Sequence, residues 1–285
     1  MSSIVPKDAS NNTEVKKHLI NKAFDFLGWV FTHDTPKRIA VKDYITEIEK
    51  SDFSPLHKAA LISRAKKDIK EYANQLKIVN GSVVYLIPSA KPENLEDDWL
   101  AQFFDKTRLV SDEEFQEIWA RLLAEECNNP GSIPKSLLFI LEKMDRREAE
   151  DFSRLCSMTV SAFDESAPLI LNPGSSTLAE YLLSFDSLIQ LESIGLIKMD
   201  SGIASGFALT RDDCNSEKQS VRYFGKSFEL PDEMKSFPIG HVLYTKDGYA
   251  LWKVVSATEI QGFWETTVVS LIENNIKTFQ SEQEQ

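Results

Sequence analysis

The sequence predicts a predominantly helical α+β protein, with a helical N-terminal half followed by a mixed α+β C-terminal half. Three observations point to this. Apolar residues recur at helical spacing through most of the first 156 positions. Capping residues and Pro or Gly stops punctuate those stretches. Short strand-like runs become frequent only beyond Gly195. At 285 residues, with 42% hydrophobic and 27% charged side chains, the chain can bury a substantial core and is expected to form more than one domain.

Residues 1–13 are polar and expected to be a disordered tail. A helical region, 14–90, follows. Leu19, Ile20, Ala23, Phe24, Leu27, Val30 and Phe31 form one stripe, which His33, Asp34 and Pro36 end. Ser54-Pro55 opens another helix with an N-cap and a proline at the first helical position. Its stripe of Leu61, Ala65, Ile69, Tyr72 and Leu76 runs to Asn80-Gly81. Val83 to Ile87 is a short β-branched and apolar run, and residues 88–96 read as a linker.

A second helical domain is expected over 91–168. Ser111-x-x-Glu114 reads as a capping box ahead of a complete helical face, Phe115, Ile118, Trp119, Leu122 and Leu123. Asn128-Asn129-Pro130-Gly131 closes that helix, and Ser132 and Pro134 open the next. Asp145-x-x-Glu148 caps a third with Ala149, Phe152, Leu155 and Cys156 inside.

Beyond Asn172-Pro173-Gly174 an α+β domain is expected over 173–279. Thr177-x-x-Glu180 predicts a helix bearing Leu178, Tyr181, Leu182, Phe185, Leu188 and Leu191, with Gly195 as its stop. Leu196-Ile197-Lys198, Gly206 to Leu209 and Val221 to Leu230 read as strands, Thr245 to Leu251 as a helix, and Phe263 to Ile272 as a last strand. Residues 280–285 are expected to be a second disordered tail.

Two resemblances follow. Trp99-x(3)-Phe103, then Gln116-x-x-Trp119-x-x-Leu122-Leu123-Ala124-x-Glu126, then Pro130-Gly131-Ser132 resemble the hallmark of a bacterial family of unknown function. The resemblance spans roughly Arg64 to Leu251. It implies a fold neighbourhood and no catalytic residue, and the family's sporadic distribution among bacterial genomes implies an accessory or phage-defence role. In the C-terminal half, Leu191-Glu192-x-x-Gly195-Leu196-Ile197, the strand-like runs after it and Thr245-x-x-Gly248-x-x-Leu251 are similar to the third helix, wing and following helix of winged-helix modules.

Charge is unevenly spread. Residues 1–90 carry 14 basic and 10 acidic side chains, and residues 91–285 carry 18 and 34. Phosphate neutralisation drives duplex binding, so nucleic acid could be contacted only through the first ninety residues. There Lys58, Arg64, Lys66, Lys67 and Lys70 form the candidate patch, set against the plainer reading of a solvated helix face. Cys127, Cys156 and Cys214 are odd in number and form no C-x-x-C pair, which predicts a reducing cytoplasm and no thiolate zinc site. No secretory signal and no membrane span is read from the sequence.

Catalytic patterns mostly fail. Phe224-Gly225-Lys226-Ser227 ends like a P-loop, but Ser220 stands where its first glycine belongs. The Gly202 to Gly206 segment places its serine one position late for a nucleophile elbow. His18, His33, His57 and His241 make neither H-E-x-x-H nor H-x-H. Asp97-Asp98 and Glu113-Glu114 sit at helix starts, where carboxylates offset the dipole. Asp213 with Glu233-Met234-Lys235 has the spacing of a metal-dependent nuclease, but in an apparent loop between prolines. Trp99, Phe103, Phe104, Trp119 and Phe152 could line an aromatic pocket, although helical spacing favours a shared core.

The preferred expectation is therefore a cytoplasmic, non-enzymatic interaction protein with no cofactor or metal, acting on a protein partner or a second copy. Gln116, Arg121 and Glu125 flank the Trp119 helix as one candidate surface, and Leu182, Phe185 and Ile189 form another. A regulator contacting nucleic acid through residues 58–70 is the alternative, and a nuclease is a distant third.

Overall fold

The computed structural model describes residues 8–27, 38–200, 206–211, 219–232 and 234–275. The chain divides into two compact units, Met1–Glu142 and Lys143–Gln285. The division falls inside the stretch 91–168. His33, Asp213, Cys214, Glu233 and both expected tail ends, 1–7 and 280–285, lie outside the described residues.

Unit 1 is helical: α1 (Asp8–Leu27), α2 (Arg38–Lys50), α3 (Pro55–Ser82), α4 (Asp97–Thr107), α5 (Glu113–Asn128) and α6 (Lys135–Lys143). Helix α1 begins at Asp8, so residues 8–13 are not a frayed tail. The N-cap of α3 is Ser54, whose hydroxyl accepts from the His57 N–H at 3.3 Å. Asn80-Gly81 does not stop this helix. A Cβ at Gly81 would lie 3.3 Å from Ala120 Cβ, so the glycine serves the close approach of α3 to α5. The run after it forms a 3-10 turn, Val83–Tyr85, instead of an extended segment, because Asn128 clamps it: its Nδ2 donates to Tyr85 O and its Oδ1 accepts from the Ile87 N–H. The cap of α5 is Asp112, not Ser111. Its carboxylate accepts from the Glu114 and Phe115 N–H groups at 3.0 and 3.1 Å.

At the centre of unit 1, Trp99 stacks on Phe103 at 5.1 Å, and Phe103 meets Trp119 edge-on at 5.5 Å. Trp99 Nε1 donates to Ile133 O, tying α4 to the turn before α6. Glu126, buried in the last turn of α5, accepts from the Gly131 and Ile133 N–H groups of the turn before α6 at 2.6 and 2.8 Å. Burial pushes its carboxyl above the usual range, and the two N–H donors pull the other way.

Unit 2 opens with α7 (Arg146–Cys156), whose Asp145–Glu148 capping box is formed as the sequence predicts. A hairpin follows, β1 (Thr159–Ala162) and β2 (Glu165–Pro168), where a helical domain was expected. Its turn holds Phe163 and Asp164 at positive φ without a glycine, so the usual turn signal is missing. The single helix expected from Thr177 is two, α8 (Ser176–Glu180) and α9 (Phe185–Ser193), separated at Leu182 with φ 58°. Gly195, at φ 87°, ends α9 as expected.

Then come β3 (Ile197–Met199), β4 (Phe207–Thr210), β5 (Ser220–Tyr223), β6 (Lys226–Glu229), β7 (Ser236–Gly240), β8 (Val242–Tyr244) and α10 (Lys246–Val254). Strand β3 pairs with β8 and β4 with β7. Between them the β5–β6 hairpin departs and completes a four-stranded sheet ordered β2-β1-β5-β6. The expected last strand over Phe263 to Ile272 is helical instead, with a π-helical stretch at Trp264–Val269. Its Thr266, Val268 and Val269 resemble strand formers, but Phe263, Trp264, Val268 and Ile272 are buried at helical spacing. Among the described residues, no helix is long and apolar enough to cross a membrane.

Candidate functional site

The sequence-derived candidates part company in the structure. Gln116 is 7% exposed and its amide donates to Val110 O at 2.8 Å, so its side chain is committed to holding the loop before α5. Arg121 lies 4.5 Å from the Tyr85 ring centre and chelates Glu117 through Nε and Nη2 at 3.1 and 2.7 Å. Tyr85 also donates to Glu117, whose carboxyl these two partners hold below the ordinary range, Arg121 the more strongly. Glu125 accepts from Asn129 Nδ2 at the end of α5. Trp99, Phe103, Phe104 and Trp119 form the core of unit 1, whereas Phe152 packs in unit 2 against Tyr244 at 5.9 Å.

On α3, Arg64 pairs with Asp68 at 3.8 Å and Lys67 with Glu71 at 3.7 Å, while Lys58 Nζ donates to Glu49 O. Lys66 and Lys70 remain, exposed and without a carboxylate partner among the described residues, and Lys77 lies on the same face two turns further on. The sequence reading stopped at Lys70 and missed Lys77.

Leu182, Phe185 and Ile189 are 72%, 48% and 45% exposed on the α8–α9 segment. Helical spacing puts Leu188 and Leu191 inside and Phe185 and Ile189 outside. Leu182 has the left-handed backbone that disfavours a large side chain, at a cost of about 1–2 kcal/mol, and its N–H donates to Ala179 O. Exposed acids flank this surface at Glu180 and Asp186, and no Lys or Arg occurs between Thr177 and Gly195.

Between the chain leaving β2, α8 and the C-terminal helical segment the structure forms a pocket of about 390 Å³ that sequence spacing did not reveal. One wall is Leu169 to Asn172, the chain leaving β2. It is held because Ile170 N–H donates to Ile239 O and His241 N–H donates to Ile170 O. Gly240, at φ 90°, permits this approach, since a Cβ there would overlap the Ile170 carbonyl. Leu178 and Tyr181 of α8 form the second wall, with Tyr181 edge-on to Phe263 at 5.5 Å. The π-helical stretch and the turn after it supply Thr266, Thr267, Ser270 and Leu271. No charged side chain lines the pocket, and Leu171 at its edge is 42% exposed. Widened π-turns of this kind recur at functional sites.

Chemically, this is a place for apolar groups with a rim of hydroxyls and amides. His241 Nδ1 lies 3.3 Å from Asp200, the one histidine–carboxylate pair among the described residues, and no nucleophile is described beside it. Among the described residues no three His, Cys, Asp or Glu side chains converge to hold a metal.

Fold and site together define a two-unit α+β protein whose second unit carries an apolar recess and, on α9, an exposed apolar face. The chain belongs to the family described as "Protein of unknown function (DUF2806)", whose model matches residues 61–267. Neither curated proteins nor solved structures give a match.

Proposed function

We propose that this protein is a non-enzymatic interaction module whose second unit grips an apolar segment of a protein partner. The 390 Å³ pocket, lined by exposed Leu171 and by Leu178 and Tyr181 of the α8 segment that leads into exposed Leu182, carries this reading. Pockets that accept one or two large side chains are where binding energy concentrates in protein interfaces. The occupant is a segment with apolar anchors and Lys or Arg flanks, because Glu180 and Asp186 stand at the edge of the surface with no basic residue among them. The buried thiols Cys127 and Cys156, the latter pushed up to about 12 by burial, suit a reducing bacterial cytoplasm, where an accessory or phage-defence role fits the family's distribution. The winged-helix-like reading of unit 2 rests on α9, its glycine stop and the paired strands that follow.

The test is affinity capture from the native host with the parent chain and with a Leu182→Asp/Phe185→Asp variant, each with and without nuclease. A partner recovered only by the parent, resistant to nuclease, and binding the purified chain through a synthetic apolar-basic segment supports the reading. Equal recovery by the variant, or release by nuclease, defeats it. Self-association of the parent in sedimentation, abolished in the variant, would replace the partner by a second copy.

A second reading, nucleic-acid contact through α3, is favoured by the exposed stripe Lys66, Lys70 and Lys77, which has no carboxylate partner among the described residues. Lys66→Glu with Lys70→Glu is expected to weaken duplex binding without moving the melting temperature, most at low salt. Unaltered binding in that variant would remove this reading.

A further inference from the structure

Unit 2 holds a second recess, between the β1–β5 ladder and the end of α10, with a volume of about 580 Å³. Ser161 of β1 and Arg222 of β5 are register partners, so both side chains leave the same face of the sheet. Phe224 follows at the tip of the β5–β6 hairpin. There φ values of 42° and 83° at Phe224 and Gly225 make a primed turn that leaves the Phe224 ring 43% exposed. Tyr223 is fixed from behind: its hydroxyl donates to Ser157 O and accepts from the Ile260 N–H, both at 2.9 Å. Across the recess, Trp252 is half-buried against Tyr249 at 5.3 Å, and Lys253 lies exposed beside it.

The electrostatics of this recess differ from those of the chain as a whole. Forty-four acidic residues outnumber 32 basic ones overall, yet among the described residues two cations and no carboxylate line the cleft. Lys253 would offset the negative end of α10 without any ligand. Arg222 has no such duty. It lies within a strand, is exposed, and pairs with no acidic side chain among the described residues. A free guanidinium next to hydroxyls and two aromatic rings is a receptor for a planar anion, since Arg binds phosphate or carboxylate in a fork while rings stack on a base.

We propose that this cleft binds a planar organic anion of nucleotide size. Arg222 and Lys253 hold its phosphate or carboxylate, Ser161 adds a hydroxyl, and Phe224 and Trp252 border its ring. The proposal is independent of the docking pocket and uses none of its residues.

Isothermal titration of the full chain at low salt with AMP, GMP, CMP, UMP, adenosine and inorganic phosphate tests it. At least one monophosphate should bind below about 1 mM, with adenosine and phosphate alone each about tenfold weaker. Arg222→Gln with Lys253→Gln should weaken that monophosphate by about tenfold or more, because two charge-assisted hydrogen bonds are lost. Both side chains are exposed, so the melting temperature should hold. Four monophosphates that fail to bind below about 1 mM, adenosine or phosphate binding as tightly as the monophosphate, or an undiminished double variant would each overturn the proposal.

Discussion

Trp119 of α5 has no exposed surface and meets Phe103 of α4 edge-on. Its Nε1 has no acceptor among the described residues, and its contribution here is the volume it fills. Trp119→Ala is therefore expected to cost about 3–5 kcal/mol, the range for truncating a buried aromatic, as read by urea denaturation. A variant that melts with the parent would show that the aromatic cluster is not the core of this unit. Burial of Trp119 could be read from helical spacing alone. Neither the internal bond of Gln116 nor the double capping by Glu126 could, because each joins residues whose nearness depends on how a loop closes.

At the level of elements, local capping chemistry was readable at Ser54, Asp145, Gly195 and Thr245, which act as their spacing suggests, but not at Ser111, where Asp112 caps, or at Thr177, which lies inside α8. The failures lie where a distant surface decides. Gly248 is one such place, since a Cβ on it would overlap the Leu196 carbonyl, to which Thr245 N–H and Oγ1 also donate. Gly248→Ala should lose about 1–3 kcal/mol by overpacking, measured as a lower thermal midpoint. An unchanged midpoint would mean that α10 does not seat against the end of α9.

The β5–β6 hairpin is tied to the C-terminal segment by Lys226, whose Nζ lies 2.8 Å from Glu259 and 3.1 Å from Glu265. Glu259 and then Glu265 hold the lysine above its ordinary value, and Lys226 holds Glu265 below the carboxylate range. The lysine's contribution is complete below the ordinary lysine value and fades as pH rises through the raised one. That of Glu265 is present above the ordinary carboxylate value of about 4.3 and fades as pH falls through the lowered one. Lys226→Met should lower the melting temperature at pH 7, by an amount that shrinks on acidification below about pH 4. A constant difference down to pH 2 would show that the contacts contribute nothing. Because these side chains are exposed, the shift should be small and sensitive to salt.

At the scale of the molecule, the four-stranded sheet decides what can fold alone. Strand β5 borders β1, and Tyr223 bonds back to Ser157 at the end of α7, so a fragment starting near Pro173 lacks half of its sheet. Residues 143–285 should unfold cooperatively as a separate fragment, whereas 173–285 should show no cooperative transition by circular dichroism. Cooperative melting of the shorter piece would contradict the assignment of α7, β1 and β2 to this unit. The 143–285 fragment should also fail to bind duplex DNA in fluorescence anisotropy even at low salt, because α9 presents acids and no cation to the negative groove. Micromolar binding would make unit 2 a DNA reader.

Many helix positions, several caps and the charge asymmetry followed from residue order alone, because helix and cap signals depend on neighbours within about one helical turn, but α2 over Arg38–Lys50 was not read from the sequence. Packing settled the rest. The Phe163-Asp164 hairpin, the break at Leu182 and the helical character of Trp264 to Val269 run against local preference, and surfaces far away in sequence override it. Both recesses are likewise assembled from segments roughly a hundred residues apart, Leu169 with Leu271 in one and Ser161 with Lys253 in the other. Periodicity reports which face of an element is buried. Only the closed fold determines which two faces meet around a cavity.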